Sequence, residues 1–245
     1  MSEPYGPSCF KCLKIFINCY NLDIRMSKLT LNKPTLIMLY GFPGSGKTFI
    51  ARQLCEDLNA AHVQGDRIRH ELFEKPRYDK QENEVVSHLM EYMAEEFLNA
   101  GMSVVYDTNA ARIGQRRALR DLARKVKAIS LLTWIQIDAE SSFTRSIKRD
   151  RRRSDDKYTP QLDRTTFDSL LATMQNPTPT EEFMVISGKH SYQTQRSAIV
   201  KRLFDLGLIT PDVASNNLAK PGLVNLVPNP MGGRVDNSRR NIVIR

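Results

Sequence analysis

The sequence predicts an α/β fold, a parallel sheet wrapped by helices on both faces. Two observations carry this. Five short apolar runs alternate with longer segments of helical periodicity. Between the first run and the first helical segment stands Gly41-Phe42-Pro43-Gly44-Ser45-Gly46-Lys47-Thr48, which fits G-x-x-x-x-G-K-[ST] at every fixed position. A chain of 245 residues with 41% hydrophobic content is long enough for a real core.

The elements follow in order. Thr35 to Tyr40 is the first strand, and Thr48 to Leu58 is the first helix, with Ile50, Leu54 and Leu58 four apart. Ala61 to Gly65 is a short second strand, and Asp66-Arg67-Ile68-Arg69 comes directly after it. Lys75 to Lys80 is a charged loop around Pro76. Gln81 to Ala100 is helical, with Val85, Leu89, Tyr92 or Met93, and Glu96 or Phe97 at the expected spacing, and Gly101 stops it. Ser103 to Tyr106 is a third strand that ends in Asp107-Thr108-Asn109. The next helix is basic. Ala118, Leu119, Leu122, Ala123 and Val126 form its apolar side, and Arg112, Arg116, Arg117, Arg120, Arg124, Lys125 and Lys127 take the rest. Leu131 to Ile137 is the fourth strand, and Ser141 to Arg153 is a helix with a strongly basic end. Thr159 and Pro160 suit the start of another helix, with Phe167, Leu170, Leu171 and Met174 on one face. Phe183 to Ile186 is the fifth strand. Gln193 to Leu206 is the last helix, with Ile199, Val200, Leu203 and Phe204 inward.

Three segments result: an extension over 1–33, a folded domain over 34–207 with a lid at about 145–160, and a basic Pro/Gly-containing tail over 208–245. Met26 is the expected natural start, because it opens a polar stretch nine residues before the first strand. The formal net charge of +9 draws the chain to anions: nucleotides, nucleic acid or acidic surfaces. Four cysteines, three of them within the first 19 residues, make no disulfide framework. Cys9-x-x-Cys12 is half a zinc pattern without a second pair. No apolar run reaches the roughly 18 residues of a membrane span, so a cytoplasmic protein is expected.

The glycines let backbone N–H groups turn inward on phosphates, and the helix start adds partial positive charge. Gly41, Pro43, Gly44, Ser45, Gly46, Lys47 and Thr48 are therefore the candidate ATP cradle. Lys47 reaches the β/γ-phosphates and Thr48 ligates Mg²⁺. In such sheets the ligand lies beyond the carboxyl ends of the strands, where Asp66 and Asp107 stand. Asp66 is placed to take the proton of an attacking hydroxyl, and Arg69 to hold an anionic acceptor. The plainer alternative is an N-capping Asp with a surface Arg. Asp107 reads as a Mg²⁺-linked carboxylate or a partner of Arg69, and Asn109 joins it on the substrate side. Thr108 and Asn109 follow where hydrolytic AAA+ ATPases place a Glu that activates water. Arg145 and Arg149, four apart, are expected on one helical face over the phosphates, followed by Arg151, Arg152 and Arg153.

The four elements G-F-P-G-S-G-K-T, D-R-I-R at Asp66 to Arg69, V-V-Y-D-T-N at Val104 to Asn109 and R-S-I-K-R at Arg145 to Arg149 resemble the P-loop kinases of the polynucleotide-kinase / AAA_33 type. Zeta-toxin-like and chloramphenicol-phosphotransferase-like kinases are relatives. The resemblance covers roughly residues 34–205. It implies a P-loop NTPase three-layer sandwich with strand order 2-3-1-4-5. It also implies Asp66 as general base, Arg69 on the acceptor's phosphate and Arg149 as the lid arginine. Thr48 stands where Ser is frequent, no D-x-D-x-T/V phosphatase motif is present, and 154–182 matches no family feature. Ser187-Gly188-Lys189-His190 either lines the nucleotide or forms a plain turn.

The expected activity is transfer of the ATP γ-phosphate to a hydroxyl of a nucleic-acid end, a nucleotide or a small molecule. One alternative is a small-molecule or sugar-nucleotide kinase. Another is a non-catalytic NTP-binding switch whose basic tail docks on RNA or a partner. Asn32-Lys33-Pro34-Thr35 precedes the loop and lacks the Asp of N-K-x-D, which argues against a GTPase.

Overall fold

The computed structural model describes residues 29–149 and 157–210. Cys9, Cys12, Met26, the centre of the expected lid with Arg151, Arg152 and Arg153, and the tail beyond residue 210 lie outside the described residues.

The fold is a P-loop NTPase α/β sandwich. Strands β1 (Thr35–Tyr40), β2 (Ala61–Gln64), β3 (Val104–Asp107), β4 (Ile129–Gln136) and β5 (Phe183–Ser187) form one sheet in the order β2-β3-β1-β4-β5. Every neighbouring pair is parallel. All six residues of β1 are buried, because a central parallel strand is covered on both faces. Alternation then divides it. Ile37 and Leu39 join α1 (Lys47–Leu58) and α7 (Tyr192–Asp205) in one core. Leu36, Met38 and Tyr40 join α3 (Lys80–Asn99) and α4 (Ile113–Lys125) in the other. The remaining helices are α2 (Gly65–Leu72), α5 (Ala139–Ile147) and α6 (Arg164–Thr173). No helix among the described residues is long and apolar enough to cross a membrane.

The packed region runs past both expected edges. Leu29 is buried and its N–H donates to the Asp57 carbonyl at 2.8 Å. The Asn32 N–H donates to the Leu208 carbonyl at 2.9 Å, and Leu208 and Ile209 are buried. A backbone bond thus joins the segment before β1 to the segment after α7.

Five helices differ from expectation. In α3 the buried row is Glu82, Val86, Met90, Ala94 and Leu98, one residue out of phase with the expected row. Val85 is 50% and Tyr92 62% exposed, while Met93 and Phe97 pack on the flank. Both rows have helical spacing, and contact with the sheet selects between them. In α4, Arg116 is fully buried and Ala118 is exposed. Helix α5 stops at Ile147, capped at its start by Asp138, so Arg149 lies beyond the helix and does not share a helical face with Arg145. Helix α6 starts at Arg164 because the Asp163 side chain accepts from the Thr166 N–H, four residues after the expected Thr159 cap. Its Leu170 is exposed, as is Phe204 of α7.

The basic surface of α4 is largely neutralised. Arg116 donates from Nε and Nη2 to Glu181 at 3.0 and 2.8 Å, and from Nη1 to the Ala110 and Gln175 carbonyls, both at 2.9 Å. Arg120 also pairs with Glu181, Arg124 with Asp121, and Lys125 with Glu95. This helix therefore offers less free positive charge to a polyanion than its sequence suggests.

Candidate active site

The phosphate loop leaves the buried end of β1 and closes at the start of α1. Gly41, Gly44 and Gly46 all have positive φ. Gly44 also needs space: a Cβ there would lie 2.3 Å from the Ser142 carbonyl oxygen of α5. Ser142 and Ser146 are buried where α5 meets the loop, and the Ser142 hydroxyl donates to the Pro43 carbonyl at 2.8 Å. These two small residues, four apart, are a signal in the sequence that motif reading passed over. Gly188, after β5, presses on the other side, with a would-be Cβ 2.9 Å from the Ser45 carbonyl oxygen. The Ser187–His190 stretch is thus a turn packed on the phosphate loop, and Lys189 pairs with Asp138. Gly44→Ala is expected to cost about 1–3 kcal/mol from backbone strain alone. The backbone clash adds to that, and the loss is read as a lowered Tm together with weakened nucleotide binding.

Lys47 Nζ donates to the carbonyls of Gly41 and Phe42, both at 2.9 Å, so its ammonium is held over the loop. Burial above all brings its pKa down to about 8; Asp107 and Asp66 oppose this and Arg149 adds to it. Thr48 Oγ1 donates to Asp107 Oδ1 at 3.4 Å. A hydroxyl and a carboxylate side by side at the head of a phosphate loop fit Mg²⁺, which takes one or two protein oxygens and completes its shell with phosphates and water. The other Asp107 oxygen faces His62 Nε2 at 3.0 Å. This pairing is set by the parallel alignment of β2 with β3 and has no local signature in the sequence.

Asp66 lies in the first turn of α2. Burial pushes its carboxyl up and Asp107 adds to this, while Arg69, Arg149 and Lys47 pull it down. All five groups line one cavity of about 1470 Å³ with the phosphate loop. That is larger than the roughly 300–1,000 Å³ of a single small-molecule pocket. Arg145 and Arg149 line it as well, and Arg145 Nη1 donates to the Gly188 carbonyl at 2.8 Å.

Two expected substrate residues are otherwise engaged. Asn109 Oδ1 accepts from the Gly41 N–H at 3.4 Å, so this side chain ties the end of β3 to the phosphate loop. Arg69 is buried and donates to Glu82 at 3.1 Å and to Asn83 at 2.5 Å. Among the described residues, no group of three His, Cys, Asp or Glu stands ready to hold a metal ion.

Residues 36–177 match the AAA_33 family, described as an AAA domain. The chain belongs to this family and has the P-loop kinase-like fold that its sheet order and phosphate loop define. None of the curated proteins matches the chain. Among solved structures, a sugar kinase from Janibacter sp. HTCC2649 is 18% identical with a TM-score of 0.52, over 74% of this chain and 98% of that one. Kti12 of Chaetomium thermophilum, solved with ADP-AlF3, is 16% identical with a TM-score of 0.56, over 71% of this chain and 99% of that one. These likenesses show a shared fold.

Proposed function

We propose that the protein is an ATP-dependent phosphotransferase with a hydroxyl acceptor. The carrying observation is that Asp66 shares one cavity with the phosphate loop and the Thr48–Asp107 pair. ATP lies on Gly41 to Thr48, with Lys47 at the β/γ-phosphates. Thr48 and Asp107 would hold Mg²⁺, which would supply positive charge to offset that of the phosphates. Asp66 accepts the proton of the acceptor hydroxyl. Arg149, whose charge is felt at both Lys47 and Asp66, stabilises the transferring group, and Arg145 steadies the nucleotide edge. Thr108 and Asn109 follow Asp107, so no carboxylate stands there to activate water, and this favours transfer over hydrolysis.

The test is a labelled γ-phosphate transfer screen over 5′-hydroxyl oligonucleotides, nucleosides, sugars and antibiotic-like alcohols, with Lys47→Met as control. Label in an organic product, lost in the control, supports the reading. ATP binding without any transfer would instead mark a nucleotide-binding switch.

ATP binding is expected to take up a proton above neutral pH. Lys47 titrates at about 8, and the bound phosphates return it to its ordinary range of about 10. Affinity then falls about tenfold between pH 7 and pH 9, by the one-unit-per-1.36-kcal/mol relation. Calorimetry in two buffers of different ionisation enthalpy reads the uptake directly, and Lys47→Met abolishes it.

A further inference from the structure

The acceptor side of the cavity carries a specific chemical bias. Arg69 stands one helical turn after Asp66, where an arginine would grip an anionic acceptor. Its side chain is only 7% exposed, and its terminal nitrogens donate to Glu82 and Asn83. The guanidinium lies 4.6 Å over the ring of Tyr78. Glu82 is locked into this role. Its side chain is 2% exposed and also accepts from the backbone N–H groups of Arg77 and Tyr78, at 2.9 and 2.8 Å. Arg77 Nε is a fourth donor, at 3.4 Å, and a carboxylate so surrounded is ionised and immobile, so it neutralises Arg69 permanently.

The neighbouring wall agrees. Helix α3 turns Asn83, Glu84, Ser87 and Glu91 to the cavity, and Gln115 lines it from α4. Lys80 is paired with Glu84. The Ser87 hydroxyl and Gln115 Nε2 offer the donors and acceptor that a polyhydroxy compound matches, while the Asn83 amide is held by Arg69 and the Tyr78 carbonyl. Asp66 and Glu91 accept from hydroxyls but repel phosphates. Arg112 and Lys148, both exposed on the cavity lining, are cations that run against this bias, and the test includes Arg112.

Resting on the phosphotransferase reading, we propose that the acceptor is a small neutral polyhydroxy compound, and that Glu82 sets this choice by withdrawing Arg69 from anions. In the step, the acceptor oxygen bonds to the γ-phosphorus as the bond from that phosphorus to the β–γ bridging oxygen breaks. The hydroxyl proton passes to Asp66, and ADP leaves.

The full-length protein is given Mg·[γ-³²P]ATP with three separate pools: neutral sugars and polyols, their phosphate monoesters, and 5′-hydroxyl oligonucleotides. Label is expected in the neutral pool, at least about tenfold faster than in either anionic pool, which corresponds to about 1.4 kcal/mol of discrimination. Glu82→Gln keeps an oxygen for the Arg77 and Tyr78 N–H groups but removes the charge. It is expected to shift preference about tenfold towards the phosphate monoesters, whereas Arg112→Gln, which removes a cation, leaves the preference for the neutral pool in place or strengthens it. If Glu82→Gln melts early, the wild type still decides. Its acceptor KM stays flat between about 50 and 200 mM salt for a neutral acceptor and rises steeply for a polyanion. Faster labelling of either anionic pool by the wild type overturns the acceptor choice and leaves the phosphotransferase reading standing. No Asp66-dependent label in any pool overturns both.

Discussion

Replacing Asp66 by Asn is expected to lower phosphoryl transfer about 100- to 10,000-fold, the range for a positioned general base. ATP affinity, set by the phosphate loop, stays within a few-fold of wild type. The same substitution is expected to raise Tm at neutral pH. Burial and the nearby Asp107 push the Asp66 carboxyl above its ordinary range in the folded chain. A group with a raised folded pKa contributes stability below its unfolded value, about 3.9, and loses that contribution as pH rises through the folded value. At pH 7 the ionised Asp66 therefore costs stability that Asn does not. The Tm gain shrinks as pH falls towards 4, which melts at several pH values read directly. Lost activity together with gained stability distinguishes a catalytic carboxylate from a helix-capping one, which Asn would replace with little change in either.

Glu181→Ala is expected to destabilise the fold by about 3–5 kcal/mol, because it strands the fully buried guanidinium of Arg116. At about 2–4 °C per kcal/mol for a domain of this size, Tm falls by about 6–20 °C. The double replacement Arg116→Met with Glu181→Leu recovers most of the loss, since a packed apolar pair leaves no charge behind. Burial alone would push the Glu181 carboxyl up, but hydrogen bonds from Arg116 and Arg120 outweigh it and hold it at about 2. Its contribution is complete above the ordinary glutamate value of about 4.3 and is lost as pH falls towards about 2. Wild type and Glu181→Ala therefore converge in stability under acid.

This network marks where the sequence stops being legible. Arg116 lies among four other cationic residues on a helix that reads as a solvated basic face, and only a carboxylate 65 positions away explains its burial. The same limit hides His62 on Asp107 and Glu82 on Arg69, each joined across elements whose adjacency exists only in the fold. What was legible is local. The phosphate loop carries its own spacing, β1 its unbroken apolar run, and Gly101 its helix stop. Strand order came from the resemblance of four motifs, because alternating strands and helices fix parallel pairing but not the order of neighbours. The phase of α3 was missed because Val85 and Val86 begin two rows of equal helical spacing. The end of α5 was missed because the arginine run beyond Ile147 keeps good helix propensity while offering nothing apolar to bury.

The fate of the γ-phosphate tests the central claim most directly. Wild-type protein and Asp66→Asn are each given Mg·[γ-³²P]ATP at saturating concentration with the hydroxyl acceptor pools. The predicted result is label in an organic phosphate with the wild type and almost none with Asp66→Asn, at equal ATP occupancy. Release of label only as inorganic phosphate, at the same rate from both proteins, would contradict the account.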